Sequence, residues 1–362
     1  MCLSIGAGAP ARASGPVQIS TAEELIAFAK RVNNGEYSLD AVLTADIQLS
    51  IYAWKESIAA FDQKSAFYEP GYTGTFDGAG HQIQAGFSDY SIFGKIDAGG
   101  VVKNLTVDGS MYSHAILAYC CAGAISNCHI TGSLSPTEDN SLPLIGGIVA
   151  ELGCATRTDG YAPGTVVNCT SEVNIRFEPS AVDYGYYNIG GIVGCIHKGT
   201  VDRCFFSGSI ELQGAVPSCS ASVGGIAGTA FADVINCGNT GSITADVFID
   251  RNVHTWEVPV EIGGIVGNTC NLYAATPCVV NCWSAGAIQV TSAGAPAGCS
   301  AIGGGRGGYS GGLSDMANCW STGTVTVTSP SGHSNQRGSD TCYFLEGTNY
   351  NSGSTPPGNG RS

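Results

Sequence analysis

The stretch GGIVGCIHKGTVDRCFFSGSI, from Gly190 to Ile210, holds a pattern that recurs along the chain. It opens with two glycines and a β-branched pair, continues to Cys204, and ends six residues after Cys204 at the aliphatic side chain of Ile210. The double glycine recurs at Gly146-Gly147, Gly224-Gly225 and Gly263-Gly264, with a degenerate copy at Gly303-Gly304-Gly305. The cysteine recurs at Cys128, Cys169, Cys204, Cys237, Cys282 and Cys319. Such a repeat indicates one small unit stacked many times.

Each unit predicts three short strands separated by turns: the GGIVG segment, the segment ending in the cysteine, and the Gly-Ser-Ile segment. One unit alone cannot bury its apolar side chains, but units stacked in register can, with each strand pairing to its counterpart ~4.8 Å along the axis. Parallel pairing with right-handed crossovers gives a right-handed parallel β-helix, or β-solenoid. The sequence therefore predicts an all-β fold of about eight coils, a coil being one turn of the solenoid.

The combination of GGIVG with N-C-x-x-x-G-x-I resembles the GLUG repeat of bacterial cell-surface and secreted proteins. The upstream stretches ISTAEELIAFAKRVNNG and YTGTFDGAGHQI are similar to the module that often precedes such repeats. The resemblance covers residues 18 to about 347 and departs from the pattern at Arg203 and around Gly303 to Gly312. It implies a solenoid of an extracellular, adhesin-like protein and carries little information about an activity.

The ends of the chain suggest a division into four parts. Residues 1–17 are interpreted as a signal-peptide remnant, because Ala11-Arg12-Ala13 fits the small-x-small pattern of a cleavage site. Residues 18–90 form an entry module with the first coil and a helix, Ala22–Val32, that begins with a Thr21/Glu24 capping box and covers the open edge of that coil. Residues 91–347 are the repeats, and the Gly/Ser/Pro-rich residues 348–362 are a tail or linker.

Composition excludes several classes of partner. The formal net charge of −14 gives no electrostatic support for binding a nucleic-acid backbone. The sequence has no apolar run of ~18 residues, so no membrane insertion is predicted. The expected state is a monomer or part of a larger chain.

The 16 cysteines are interpreted as structural. Six share one repeat position, where an earlier coil has Leu105, so that position is expected to be a buried apolar column of unpaired thiols. No spacing fits a zinc site, and neither a metal nor another cofactor is predicted. Cys270 with Cys278 is the pair most favoured for a disulfide.

Ligand contacts are expected from the segments that vary most in length: Ser135–Ile145, Arg176–Ile189, Glu211–Val223, Thr244–Ile262 and Gln289–Ile302. Because they share one place in the repeat, they should leave the solenoid at the same corner. Thr244–Ile262 alternates apolar and acidic residues and predicts a protruding β-hairpin that turns near Asp250. Aromatic faces beside polar groups suit a sugar. The candidate ligand-binding residues are Asp183, Tyr184, Tyr186, Tyr187, Phe248, Asp250, Arg251, Trp256 and Glu257.

Three functions stay open at this point. The first is a non-catalytic adhesion or glycan-binding module whose partner is a surface glycan or another cell-surface ligand. The second is a polysaccharide-cleaving hydrolase or lyase, for which Asp183 paired with Asp246 or Glu257 would supply the two carboxylates. The third is a spacer within a larger surface protein. All three place the chain outside the cell or on its surface.

Overall fold

A computed structural model describes residues 15–50, 53–60, 69–136, 144–155, 160–178, 186–216, 220–249, 260–269, 278–293, 298–300, 302–306 and 316–328. In this part of the chain the strands form four large sheets, in which all of the pairings are parallel, and one two-stranded antiparallel sheet, Cys154–Ala155 with Tyr161–Ala162. Each later coil visits the sheets in the order I, II, III, IV before it returns to sheet I. The all-β parallel architecture that the repeat predicts is therefore confirmed.

The four sheets have the following strands. Sheet I contains Val17–Ile19, Ala41–Leu43, Thr75–Asp77, Val101–Lys103, Ala124–Ser126, Gly164–Val167, Gly199–Asp202, Asp233–Ile235, Val279–Val280 and Met316–Ala317. Sheet II contains Ile47–Gln48, Gln82–Ser88, Thr106–Met111, His129–Leu134, Thr170–Phe177, Phe205–Phe206, Ser209–Val216, Gly238–Asn239, Ser242–Ile249, Trp283–Ser284, Ile288–Ala293, Trp320–Ser321 and Val325–Thr328. Sheet III contains Leu144–Gly146, Tyr186–Gly190, Ser220–Gly224, Val260–Gly263 and Gly298–Ser300. Sheet IV contains Phe93–Ile96, Ala118–Cys121, Val149–Leu152, Val193–Ile196, Ala227–Ala230, Val266–Thr269 and Gly303–Arg306.

The double glycine separates two strands, so the prediction of three strands per unit is wrong. Gly190 ends a strand of sheet III, and Val193 begins the next strand, in sheet IV. A Cβ on Gly190 would lie 2.0 Å from the Val193 carbonyl oxygen, and one on Gly191 would lie 2.3 Å from the Gly225 oxygen. The backbone approaches itself so closely at this bend that only glycine fits.

The residue before each repeated cysteine has left-handed backbone geometry. Asn127, Asn168, Asn236, Asn281 and Asn318 have φ between 52° and 55°. Asparagine tolerates this conformation better than most residues, because its short amide can hydrogen-bond locally. The amides also bond from coil to coil, as in the 3.1 Å bond that Asn281 Nδ2 donates to Asn236 Oδ1. Arg203, the one departure in this series, has φ 51° and donates its Nε–H to Asn168 Oδ1 at 2.8 Å.

The cysteine column lies in the core, as predicted. All six repeated cysteines are buried and form no disulfide. Their sulfurs bond weakly to backbone groups: Cys237 Sγ lies 3.2 Å from the Ile235 oxygen and accepts the Cys204 N–H at 3.5 Å. Aliphatic residues of all four sheets complete the same core.

The helix spans Ala22–Asn33, one residue longer than predicted. Its capping box is present: the Glu24 N–H donates to Thr21 Oγ1, and Glu24 Oε2 accepts the Thr21 N–H, both at 3.2 Å. Phe28 on its buried face packs against the rings of Tyr72 and Phe76, with centroids 6.2 and 5.8 Å apart. No helix of the described residues has the length and apolar character that a membrane crossing requires.

Candidate functional site

Five connections between sheet II and sheet III begin and end in register. The last strands before them align Leu134, Ile175, Ile210, Ile243 and Ile288. The strands after them align Ile145, Ile189, Val223, Ile262 and Cys299. The connecting residues 137–143, 179–185, 217–219, 250–259 and 294–297 lie outside the described part of the chain. All five connections therefore leave and rejoin the solenoid at one edge.

Most of the predicted ligand-binding residues lie in those connections. Outside the described residues are Asp183, Tyr184, Asp250, Arg251, Trp256 and Glu257, together with the side chains of Tyr186 and Phe248. The backbone of Tyr186 belongs to a sheet III strand, and that of Phe248 belongs to a sheet II strand. Asp246 is exposed on sheet II. Both carboxylate pairs nominated for glycan cleavage include Asp183, which lies outside the described residues.

Tyr187, which the sequence pattern nominated as a ligand-binding residue, lies in the core. Its side chain is only 1% exposed, and its ring packs on that of Phe177 with centroids 5.1 Å apart. It cannot be a surface platform for a sugar, because its strand turns the ring into the core. Alternation along a strand sends neighbouring residues to opposite faces, and sequence alone did not reveal which face of this strand is buried.

The β-hairpin predicted over Thr244–Ile262 is wrong, because the two ends of this segment belong to different sheets. Ser242–Ile249 pairs in parallel with Ser209–Val216 and Ile288–Ala293 in sheet II, whereas Val260–Gly263 lies in sheet III. Val260 and Ile262 are fully buried, so the apolar alternation there fills the core. The disulfide predicted between Cys270 and Cys278 involves Cys270, which lies outside the described residues. A disulfide that sequence reasoning missed joins Cys120 to Cys154.

Sheet IV carries a thiol, an imidazole and a carboxylate in sequence-distant positions that the fold brings together. Cys195 Sγ lies 4.0 Å from His197 Nδ1, and His197 Nε2 lies 3.5 Å from Glu151 Oε1. Glu151 is the register partner of Cys195 one coil earlier. We call these three residues the Cys195 cluster. The sequence contained one signal for it: a cysteine near the end of a strand and a histidine two residues later, one position past that strand's end at Ile196, can share a face.

A short hairpin lies beside the Cys195 cluster. Its two antiparallel strands are Cys154–Ala155 and Tyr161–Ala162. The Tyr161 ring stacks on His197 with centroids 4.1 Å apart and planes 8° apart, and Phe231 stacks at 5.8 Å. The Cys120–Cys154 disulfide ties the hairpin to sheet IV. The imidazole is thus enclosed by two aromatic rings.

Burial disfavours the charged forms of all three groups in the Cys195 cluster. It raises the pKa of the Cys195 thiol, with the Glu151 carboxylate adding to the shift, and it lowers the pKa of His197 to about 4. It also raises the pKa of Glu151 to about 7, against the opposing influence of Lys95. A nucleophilic cysteine needs the opposite shift, toward the thiolate. In this closed arrangement the cluster has the alignment of a nucleophile, a base and an acid without the charge state that activates a thiol.

Metal binding has no support in the described residues, where no group of three His, Cys, Asp or Glu side chains is arranged to hold an ion.

Comparison with known proteins supports the fold. No protein-family profile matches the chain, and no curated protein sequence is significantly similar to it. A crystal structure from Bacteroides ovatus, described as a "putative immunoglobulin A1 protease", superposes with a TM-score of 0.52 at 18% identity, covering 92% of this chain and 83% of the other. A second solved structure, named IgA1 protease, gives a TM-score of 0.47 at 14% identity, covering 84% of this chain and 21% of that one. At 18% identity the first likeness concerns the fold and not the activity.

Proposed function

We propose that the chain is a secreted or cell-surface β-solenoid of the GLUG-repeat type that binds a glycan or another cell-surface ligand without cleaving it. One observation carries the proposal: five connections of variable length leave the solenoid at a single edge, with their flanking strands in register. Loops that cluster on one side of a rigid scaffold are where repeat proteins bind their partners. The connections also hold six of the nominated residues: Asp183, Tyr184, Asp250, Arg251, Trp256 and Glu257.

The architecture that goes with this function is a right-handed solenoid of about eight coils, acting as a monomer or as part of a larger chain. Its N-terminal helix serves as a cap. The burial of Leu25, Phe28, Ala29 and Val32 supports that role, because a covered first coil offers no edge for pairing with another molecule.

The test is a glycan array probed with wild-type protein and with a Trp256→Ala/Tyr186→Ala double variant. We expect binding to at least one glycan and its loss in the variant, because stacked rings contribute much of the contact area in a sugar site. Phe231→Ala is the matched control, since Phe231 is 40% exposed and follows the sheet IV strand Ala227–Ala230, away from the corner. Unchanged binding in the double variant would refute the site, and release of reducing sugar by the wild type would favour the glycan-cleaving alternative. Absence of any binding would favour the spacer.

A second function, thiol-dependent hydrolysis, is favoured by the alignment in the Cys195 cluster. The name of the Bacteroides ovatus protein refers to proteolysis of immunoglobulin A1, so immunoglobulin A is the substrate to use in the cleavage assay. Cleavage by the wild type that is lost in Cys195→Ala would establish this activity. Because burial raises the pKa of the Cys195 thiol, we expect no cleavage before the hairpin is released by a reductant.

A further inference from the structure

An aromatic row crosses the outer side of sheet II, away from the corner connections. Phe205, Gly238, Trp283 and Trp320 are register partners in four successive coils. Trp320 is 41% exposed, and Phe205 and Trp283 are half-buried. A repeat places one side chain of each coil at this position, so three large rings lie in a line along the solenoid axis. We call Phe205, Trp283 and Trp320 the aromatic row.

The rings of the aromatic row contact one another. The centroids of Trp283 and Trp320 are 5.5 Å apart with planes 11° from parallel, and those of Phe205 and Trp283 are 5.8 Å apart with planes 36° apart. Gly238 makes the second contact possible. A Cβ there would lie 2.6 Å from Trp283 Cε2, so the missing side chain leaves room for the indole to lie across this coil. The row is continuous over all four coils.

The surroundings of the aromatic row are polar and mostly uncharged. Just past the ends of these short strands, two residues after each row position, the exposed side chains are Ser207, Thr240, Ala285 and Thr322. On the other side lie the exposed amides of the coil-to-coil asparagine series, Asn236, Asn281 and Asn318, with Arg203 in the first coil. Hydroxyl and amide groups that flank a strip of ring surface offer hydrogen bonds on both sides of it.

We propose that the aromatic row is a second binding site, and that its ligand is a neutral glycan chain lying along the solenoid axis. The C–H faces of sugars pack on aromatic rings, and their hydroxyl groups bond to neighbouring Ser, Thr and Asn side chains. A row repeated from coil to coil fits a ligand with a repeating unit. The net charge of −14 disfavours uronic-acid polymers, since like charges repel. This site is independent of the corner connections.

The experiment is affinity electrophoresis of the full chain in gels containing galactomannan, mixed-linkage β-glucan or hydroxyethylcellulose, with polygalacturonate as the anionic comparison. We expect at least one neutral polymer to retard the wild type. Trp320→Ala should weaken that retention roughly tenfold, because it removes the most exposed ring of the row. Trp320→Phe should retain most of it. Phe87→Ala is the matched control, since Phe87 is 44% exposed and outside the row.

Folding of each variant is checked by its thermal transition, and Trp320 is the first target because it is more exposed than Trp283. If Trp320→Ala does not fold, binding is measured instead by the quenching of tryptophan fluorescence on addition of the polymer that retards the wild type. Trp283→Phe is the comparison in that measurement. The proposal is overturned by three results: no retention by any neutral polymer, equal retention of Trp320→Ala and Phe87→Ala, or retention by polygalacturonate alone. Loss of glycan binding in the Trp256→Ala/Tyr186→Ala variant with normal behaviour here would separate the two sites.

Discussion

Replacing Asn236 by alanine should destabilise the solenoid by about 2–3 kcal/mol. The residue has φ 55°, and an ordinary L-residue adopts that left-handed geometry at a cost of about 1–2 kcal/mol. Its amide also donates to Asp202 Oδ1 at 2.9 Å and accepts from Asn281 at 3.1 Å. Each of these exposed bonds contributes about 0.5 kcal/mol, the low end for a hydrogen bond. The two effects together give the predicted loss.

The chain supplies its own control for Asn236→Ala. Arg203 occupies the equivalent position at φ 51°, so its backbone strain is already present in the wild type. Arg203→Ala therefore removes side-chain contacts only, and we expect it to cost less than about 1 kcal/mol. Asn236→Gly should recover about 1 kcal/mol relative to Asn236→Ala, because glycine adopts positive φ freely.

The measurement is urea unfolding followed by far-ultraviolet circular dichroism, with the slope of the transition checked for each variant, since long repeat arrays can lose cooperativity. Hydrogen exchange of the amides in the Asn236 coil adds a local measure. Equal losses for Asn236→Ala and Arg203→Ala would refute the reasoning, because they would mean that backbone geometry does not select asparagine here. An Asn236→Gly variant less stable than Asn236→Ala would do the same.

Three further predictions concern the core and sheet IV. The six repeated cysteines should react with a thiol reagent only after unfolding, because all are buried; prompt labelling of the native protein would contradict the apolar column. Gly191→Ala should cost about 1–3 kcal/mol or more in a thermal unfolding scan, since its Cβ would lie 2.4 Å from the Phe206 ring and 2.3 Å from a carbonyl oxygen, and an unchanged transition would show that the bend can open. Burial raises the pKa of Glu151 to about 7 from an ordinary value of 4.5, so between these two pH values the folded protein holds a proton that the unfolded chain loses. The stability that this group contributes is therefore fully present below about pH 4.5 and falls as the pH rises to 7. Glu151→Gln should remove that fall and raise stability at pH 8. Comparing the variant with wild type separates the effect of Glu151 from that of His197, whose lowered pKa acts in the opposite direction. A stability difference that does not change with pH would contradict this prediction.

The sequence repeat was sufficient to predict the parallel sheets but not the candidate sites. The fixed spacing of six residues between each repeated cysteine and the repeated aliphatic residue after it identifies strands that must pair in parallel, and these aliphatic residues are register partners from Leu134 to Val325. The strands of sheet III, such as Tyr186–Gly190, escaped prediction because the double glycine was placed inside a single strand, whereas its first glycine ends one strand and the next strand begins three residues later. The Cys195 cluster escaped because Glu151 comes from another coil, so that its distance along the chain says nothing about proximity. The aromatic row escaped for the same reason.

The direction of the sheet hydrogen bonds determines how the molecule would respond to a pulling force. In all four sheets these bonds run along the axis, and a surface protein held at its two ends would load them one coil at a time, by peeling and not by shearing. Corresponding cysteines in successive coils are 33 residues apart in one case and 45 in another. Each detached coil would release about 110–160 Å of extended chain at ~3.3–3.6 Å per residue. The stack would act as a series of weak links of unequal length, which extends stepwise and limits the tension that reaches a bound ligand.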